Sequence, residues 1–270
     1  MPPAEYHDAL QNLCEVGQQR LMAMQYLDAE KAFVDAEEIA LARGDLDTLG
    51  RLYFPLQEAR RQRRQVCGEG MVWLDGPPVK PEEEFDAAAL LAESPQGQFL
   101  VPGWGDTRPG AAIRREAAER KLYAEAFLAA AFPAGRDGAL LIALLPFERA
   151  ELPKPEAVRG NRLALERALP AGSVLLDPAT IPPRQLGDAG TFAWTMARWE
   201  ALAAPYLSAA NELKSTPDRI AGFRRAIAAD YACEKAHQWL ATTALDAARA
   251  NRSAVDAGSD EAAVADGSRT

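Results

Sequence analysis

Residues 99–132 read FLVPGWGDTRPGAAIRREAAERKLYAEAFLAAAF, and their reading decides the fold. Phe99–Val101 is a short apolar run suited to a buried strand. Gly103 and Gly105 interrupt it, and the stretch from Arg108 to Lys121 carries strong helix formers behind Pro109. LYAEAFLAAAF then returns to an apolar strand. Strand, glycine-bearing turn, helix and strand together describe an α/β layer, in which a crossover helix joins parallel strands.

The turn GWGDTRPG poses the functional question. A glycine turn that leaves a strand and feeds a helix N-terminus binds phosphate through backbone N–H groups. In open α/β sheets, ligands gather at such strand ends. Gly103, Gly105, Asp106, Thr107 and Arg108 are therefore the candidate ligand-binding residues. The spacing is neither G-x-G-x-x-G nor the P-loop pattern. Asp106 or Thr107 also suits an N-cap, and Pro109 suits a first helical turn. Asp106 repels a phosphate unless Arg108 or a metal offsets it. The favoured reading is a helix cap, with the ligand site as its rival.

Working outward, MVWLDGPPVKPEEEFDAAALLAES (71–94) holds a short apolar run, a proline-rich turn and an acidic-started helix. ALLIALLPF (139–147) follows the turn PAGRDG, and SVLLDP (173–178) follows the helical PEAVRGNRLALERAL. Apolar strands alternating with helices predict a small, mostly parallel βαβ-type segment. Beyond it, DAGTFAWTMARWEALAAPYLSAANEL sets Phe192, Met196, Trp199 and Leu202 on one helical face, with Trp194 and Trp199 packing the helix on the sheet.

The N-terminal residues 4–66 are helical by periodicity. Leu10, Leu13, Cys14, Val16, Gly17 and Leu21 recur at spacings of three and four, and so do Tyr26, Ala29, Phe33, Ala36 and Ala40. Leu46, Leu49, Gly50 and Tyr53 open a third helix, with Pro55 early in it. In PDRIAGFRRAIAADYACEKAHQWLATTAL (217–245), Phe223 and Ala226 are followed by Ala236, Leu240, Ala241 and Ala244. These helices resemble tetratricopeptide repeats: a Leu-Gly pair in a first helix, and a small residue, an aromatic and an Ala in a second. Arg219, Tyr231 and His237 depart from that pattern, which prefers a small residue, Pro and Trp there. The resemblance implies helical hairpins that bind a protein or peptide, and it implies no catalytic residue. About three such repeats are needed for stability, so the N- and C-terminal helices are expected to pack together or on the middle segment.

The expected class is mixed α+β: tetratricopeptide-like hairpins flanking a small α/β segment. The expected divisions are 1–68 helical, 69–190 α/β, 191–249 helices packing with the N-terminal ones, and 250–270 a disordered tail.

A net charge of −9 argues against a general nucleic-acid or anionic-membrane binder, which needs a basic face. No apolar run reaches the roughly 18 residues of a membrane span, and MPPAEYHDAL shows no secretory signal. Three scattered Cys point to reduced thiols in a cytoplasm, and two His without a Cys pair argue against zinc. No cofactor is expected. In ARRQRRQ (59–65), Arg60, Arg63 and Arg64 share a helical face. The favoured reading is a solvated helix end complementing the dipole, and the rival is an acidic partner or phosphate. EEEFD reads as surface charge, His237 as a partly buried core histidine, and no Ser sits in a nucleophile elbow.

The expected function is a non-catalytic protein–protein interaction module in the cytoplasm. Its rival is a phosphorylated-ligand-binding or catalytic α/β domain centred on residues 103–108, and a purely structural subunit is the third possibility. The sequence leaves the partner and the oligomeric state open.

Overall fold

The computed structural model describes the backbone of residues 3–266 and the side chains of residues 6–253. Helices α1 (Pro3–Met22), α2 (Tyr26–Arg43) and α3 (Leu46–Glu69) come first. Strand β1 (Met71–Trp73), helix α4 (Ala87–Glu93), β2 (Gly97–Phe99), β3 (Gly103–Trp104), α5 (Arg108–Glu119), β4 (Ala124–Ala126) and β5 (Leu128–Phe132) follow. Then come β6 (Leu141–Leu145), α6 (Arg162–Ala168), β7 (Val174–Leu176) and β8 (Gln185–Leu186), and last α7 (Ala189–Glu212), α8 (Thr216–Ala229) and α9 (Glu234–Asp266). The fold is mixed α+β, with helical hairpins at both ends of the chain and sheets between them. No helix among the described residues is long and apolar enough to cross a membrane.

The chain divides into two compact units. The first contains residues 1–59, 209–224 and 234–270; the second contains 60–208 and 225–233. The tail expected to be disordered carries α9 backbone through Asp266, and residues 267–270 lie outside the described residues.

In the first unit α1 and α2 form a hairpin. A Cβ on Gly17 would lie 2.5 Å from the Phe33 ring, so the small residue is what lets that aromatic seat itself between the helices. Phe33 is 1% exposed, as are Leu49 and Tyr53 on α3. The N- and C-terminal helices of this unit touch. Gly50 faces Leu245 and the Ala241 carbonyl, and Arg252 donates to Asp47 at 3.1 Å. Glu37, buried on α2, accepts from the Tyr53 hydroxyl and from Arg224 Nε, the latter at 2.7 Å. His237 is fully buried, with its ring 5.6 Å from that of Tyr53.

The second unit holds two four-stranded sheets, ordered β4-β2-β1-β8 and β3-β5-β6-β7. β1, β2 and β4 are parallel, and α4 and α5 cross over between them. Antiparallel pairs β1–β8, β5–β6 and β6–β7 match the parallel pairs in number, so the segment is mixed rather than mostly parallel. The reason is local: the short PAGRDG turn, with Asp137 and Gly138 at φ 55° and 79°, reverses β5 into β6, and a connection that short permits only antiparallel pairing. Side chains alternate across the strands. One face packs Val72, Leu74, Leu100, Phe127 and Leu144 on Trp199 and Leu202 of α7. The opposite face of the first sheet packs Phe99, Val101, Ala124 and Ala126 against α4 and α5, and that of the second packs Leu128, Ala130, Phe132 and Leu145 near α6.

Candidate functional site

Glu125 is the one charged residue in the strand run LYAEAFLAAAF. Its neighbours Ala124 and Ala126 face α4 and α5, so the two-residue period turns Glu125 to the α7 side, in register with Gln98 of β2. There it is 4% exposed and receives Arg64, whose Nε donates to Oε1 at 2.9 Å. The Arg64 guanidinium also pairs with Asp230 at 2.7 Å, and both side chains are almost wholly buried. Gln98 Nε2 donates to the other Glu125 oxygen at 3.1 Å, and Thr195 Oγ1 donates to Gln98 Oε1 at 3.1 Å. Burial alone would pull the Arg64 guanidinium down, but Asp230 and Glu125 outweigh it and hold its pKa above the ordinary value. Rings enclose the cation: Arg64 lies 5.0 Å from the Trp199 ring and 4.6 Å from the Tyr231 ring.

This is a correction to the reading of ARRQRRQ. Arg64 is not part of a solvated helix end. A helix face is solvated only if nothing packs on it, and here Glu125 and Asp230 supply buried counter-charges from distant parts of the chain.

Beside the ion cluster lies a cavity of about 210 Å³, lined by Arg63, Arg114, Glu125, Trp199, Tyr231 and the alanines 124, 126, 228 and 229. Arg114 Nε donates to the Ala126 carbonyl at 2.7 Å, and burial draws the Arg114 guanidinium down to about 10 against the pull of Glu125. Burial, aided by Glu125, holds the Tyr231 phenol well above its ordinary pKa, so it is a neutral donor at physiological pH. The Tyr231 hydroxyl and Trp199 Nε1 are buried and have no hydrogen-bond partner.

The residues expected to bind a ligand all fall at the β3–α5 turn. Gly103 pairs with Ala130, and Gly105 adopts φ 71° with Pro155 packed against its α-carbon, where a side chain would clash. Asp106 Oδ1 accepts the Arg108 backbone N–H at 2.9 Å, and its Oδ2 accepts Arg108 Nε at 2.9 Å. Thr107 is buried and its side chain makes no cap hydrogen bond. The turn is thus closed on itself through Asp106, and Arg108 also borders a cleft of about 330 Å³ with Glu83, Phe85 and Glu148. Sequence reasoning missed Glu125, Arg114 and Asp230, and noted Tyr231 only as a departure from a repeat. The lone acid inside an alanine-rich strand was the available signal.

The first unit carries a larger concavity of about 520 Å³, bounded by Ala40, Leu41, Leu46, Leu49, Ile220, Ala221 and Ala247, with Arg224 and Asn251 at its polar margin. Among the described residues no group of His, Cys, Asp and Glu could hold a metal ion. No family model, curated protein or solved structure matches the chain.

Proposed function

We propose that the protein is a non-catalytic binding module, and that its helical unit receives an apolar segment of a protein or peptide partner in the concavity between α2, α3, α8 and α9. The observation that carries this reading is the concavity itself: about 520 Å³, lined mostly by alkyl side chains of four helices. Grooves of this kind take an amphipathic segment by its apolar anchors. Arg224, about half exposed while paired with the buried Glu37, offers a cation at the margin to an acidic residue of the partner. The tetratricopeptide-like character of the hairpins belongs to the same proposal, supported by the close approach of Gly17 and Phe33.

The test is selection of peptides from a displayed library on the full chain, followed by binding to Ala221→Trp. Ala221 is exposed on the concavity wall, so an indole there fills the space without touching the core. The expected result is a family of peptides with spaced apolar residues that bind the wild type and lose binding to the variant. Peptides that bind both equally would remove the concavity from the function.

A further inference from the structure

Trp239, Thr242, Thr243 and Asp246 of α9 stand at i, i+3, i+4 and i+7, so they share one helical face. With Asn211 of α7 and Arg219 of α8 they wall a cleft of about 250 Å³ in the first unit. Trp239 is 38% exposed there, while its ring meets the buried Phe223 ring in a T-shaped contact, with centroids 6.0 Å apart. That packing fixes the indole and leaves part of its surface open. Arg219 lies over the same Phe223 ring at 5.7 Å, and Thr243 is buried in the wall.

The wall mixes hydrogen-bond donors with acceptors. Arg219 can only donate, and its buried Nε has no hydrogen-bond partner. The Asp246 carboxylate can only accept; its Oδ1 takes Arg249 Nη1 at 2.9 Å. Thr242 gives its proton to the Gln238 carbonyl at 2.9 Å, which leaves its oxygen as an acceptor. The Asn211 amide does both. Hydroxyls match such a wall, because each gives one hydrogen bond and takes others. Charge makes the occupant neutral: Arg219 and Asp246 bring one charge of each sign, and their neighbours Asp218 and Arg249 bring one more of each. The indole asks for an apolar face. A neutral body with hydroxyls around its edge and C–H bonds on its faces is a sugar ring. A cavity of about 150 Å³ holds a benzene molecule, so about 250 Å³ admits one six-membered ring with its hydroxyls, and not two.

We propose that this cleft binds one neutral hexopyranose ring, free in solution or at the end of a chain, with its C–H face on Trp239 and its hydroxyls on Asp246, Asn211 and Arg219. The cleft borders the larger concavity through Thr216 and Ala247 and shares no other lining residue with it, so the proposal does not rest on the peptide-binding reading.

The experiment titrates full-length protein with glucose, galactose and mannose, reading calorimetry and the indole N–H resonances, with Trp239 assigned by its loss in Trp239→Phe. The expected result is saturable binding of at least one hexose, in the millimolar range or tighter, with a shift of the Trp239 indole signal. Sorbitol, which has the hydroxyls but no ring, should not bind. Trp239→Ala should abolish the binding, and Asp246→Ala, at an exposed position, should weaken it by at least about tenfold. Trp239 also packs on Phe223, so Asp246→Ala decides if Trp239→Ala does not fold. The methyl glycoside of the hexose that binds separates the two sources: it binds as well if the ring is a chain end, and it fails if the free sugar is the ligand. No binding by any of the three hexoses overturns the proposal. Equal binding of sorbitol, tighter binding of adenosine at the same indole, or hexose binding unchanged in Asp246→Ala overturns it as well.

Discussion

Arg64 and Asp230 meet at 2.7 Å with side chains only 2% and 1% exposed. An ion pair so deeply placed is held by geometry and partners, because each ion alone loses several kcal/mol of hydration. Glu125 completes the set on the other side of the guanidinium.

Removing the cation should therefore be severe. Arg64→Met is expected to cost about 3–5 kcal/mol, since it leaves Glu125 and Asp230 buried without their counter-charge. Adding Glu125→Gln and Asp230→Asn to that variant should recover a good part of the loss. Urea midpoints of the three proteins check this, and a midpoint for Arg64→Met equal to the wild type would show the side chain to be solvated.

Tyr231 gives a signed dependence on pH. Burial raises its folded pKa well above the ordinary 10, so the native state keeps a proton that the unfolded chain releases. Its contribution is fully present below the unfolded pKa and is lost as pH rises past about 10 toward the folded value. Tyr231→Phe should flatten part of this alkaline decline while changing stability by less than about 1 kcal/mol near neutral pH, because the hydroxyl has no partner to lose. Denaturant midpoints of both proteins between neutral and strongly alkaline pH decide it; parallel curves would place the phenol in water.

Phe33 fills the space that Gly17 leaves. Phe33→Ala is expected to destabilise the helical unit by about 3–5 kcal/mol, the usual cost of an aromatic cavity. Gly17→Leu should also destabilise, by overpacking against the same ring. A thermal midpoint unmoved by either change would mean that α1 and α2 do not pack in this register.

At the β3–α5 turn, Asp106→Ala should cost about 0.5–2 kcal/mol, because Oδ1 holds the Arg108 N–H at the helix start. Arg108→Ala should cost less, since its pairing with Asp106 is exposed. A thermal-shift series with nucleotides and sugar phosphates separates a cap from a phosphate site. Saturable stabilisation that vanishes in Arg108→Ala would move a ligand to this turn.

Much of the architecture was legible because its causes are local. Spacings of three and four marked the hairpins, and the apolar runs marked β2, β6 and β7; LYAEAFLAAAF, expected as one strand, divides at Phe127 into β4 and β5 of different sheets. What escaped has causes that are distant or small. β8 is two residues long and takes its place only by pairing with β1. The arginine run of α3 looks the same in a local window whether water or protein covers it. The fate of Arg64 depends on Glu125 across the sheet and on Asp230 near the far end of the chain. For the same reason the cavity beside the ion cluster could not be found at a motif: its walls come from α3, β4, α5, α7, the end of α8 and Tyr231 just after it.

Because the second unit borrows residues 225–233 from late in the chain, its assembly has a built-in sequence in time. A chain emerging from a ribosome exposes Arg64 and then Glu125 long before Asp230 exists, and every strand of both sheets is made before that carboxylate arrives. The guanidinium, already opposite Glu125, must wait for the second acid at its Nη1. Long-range closure of this kind is slow, and the sheets stay open to mispairing until it occurs. A chain stalled ahead of residue 225 would carry all its strands and still hold an unfinished interior, which marks it as incomplete to any protease that samples exposed cores.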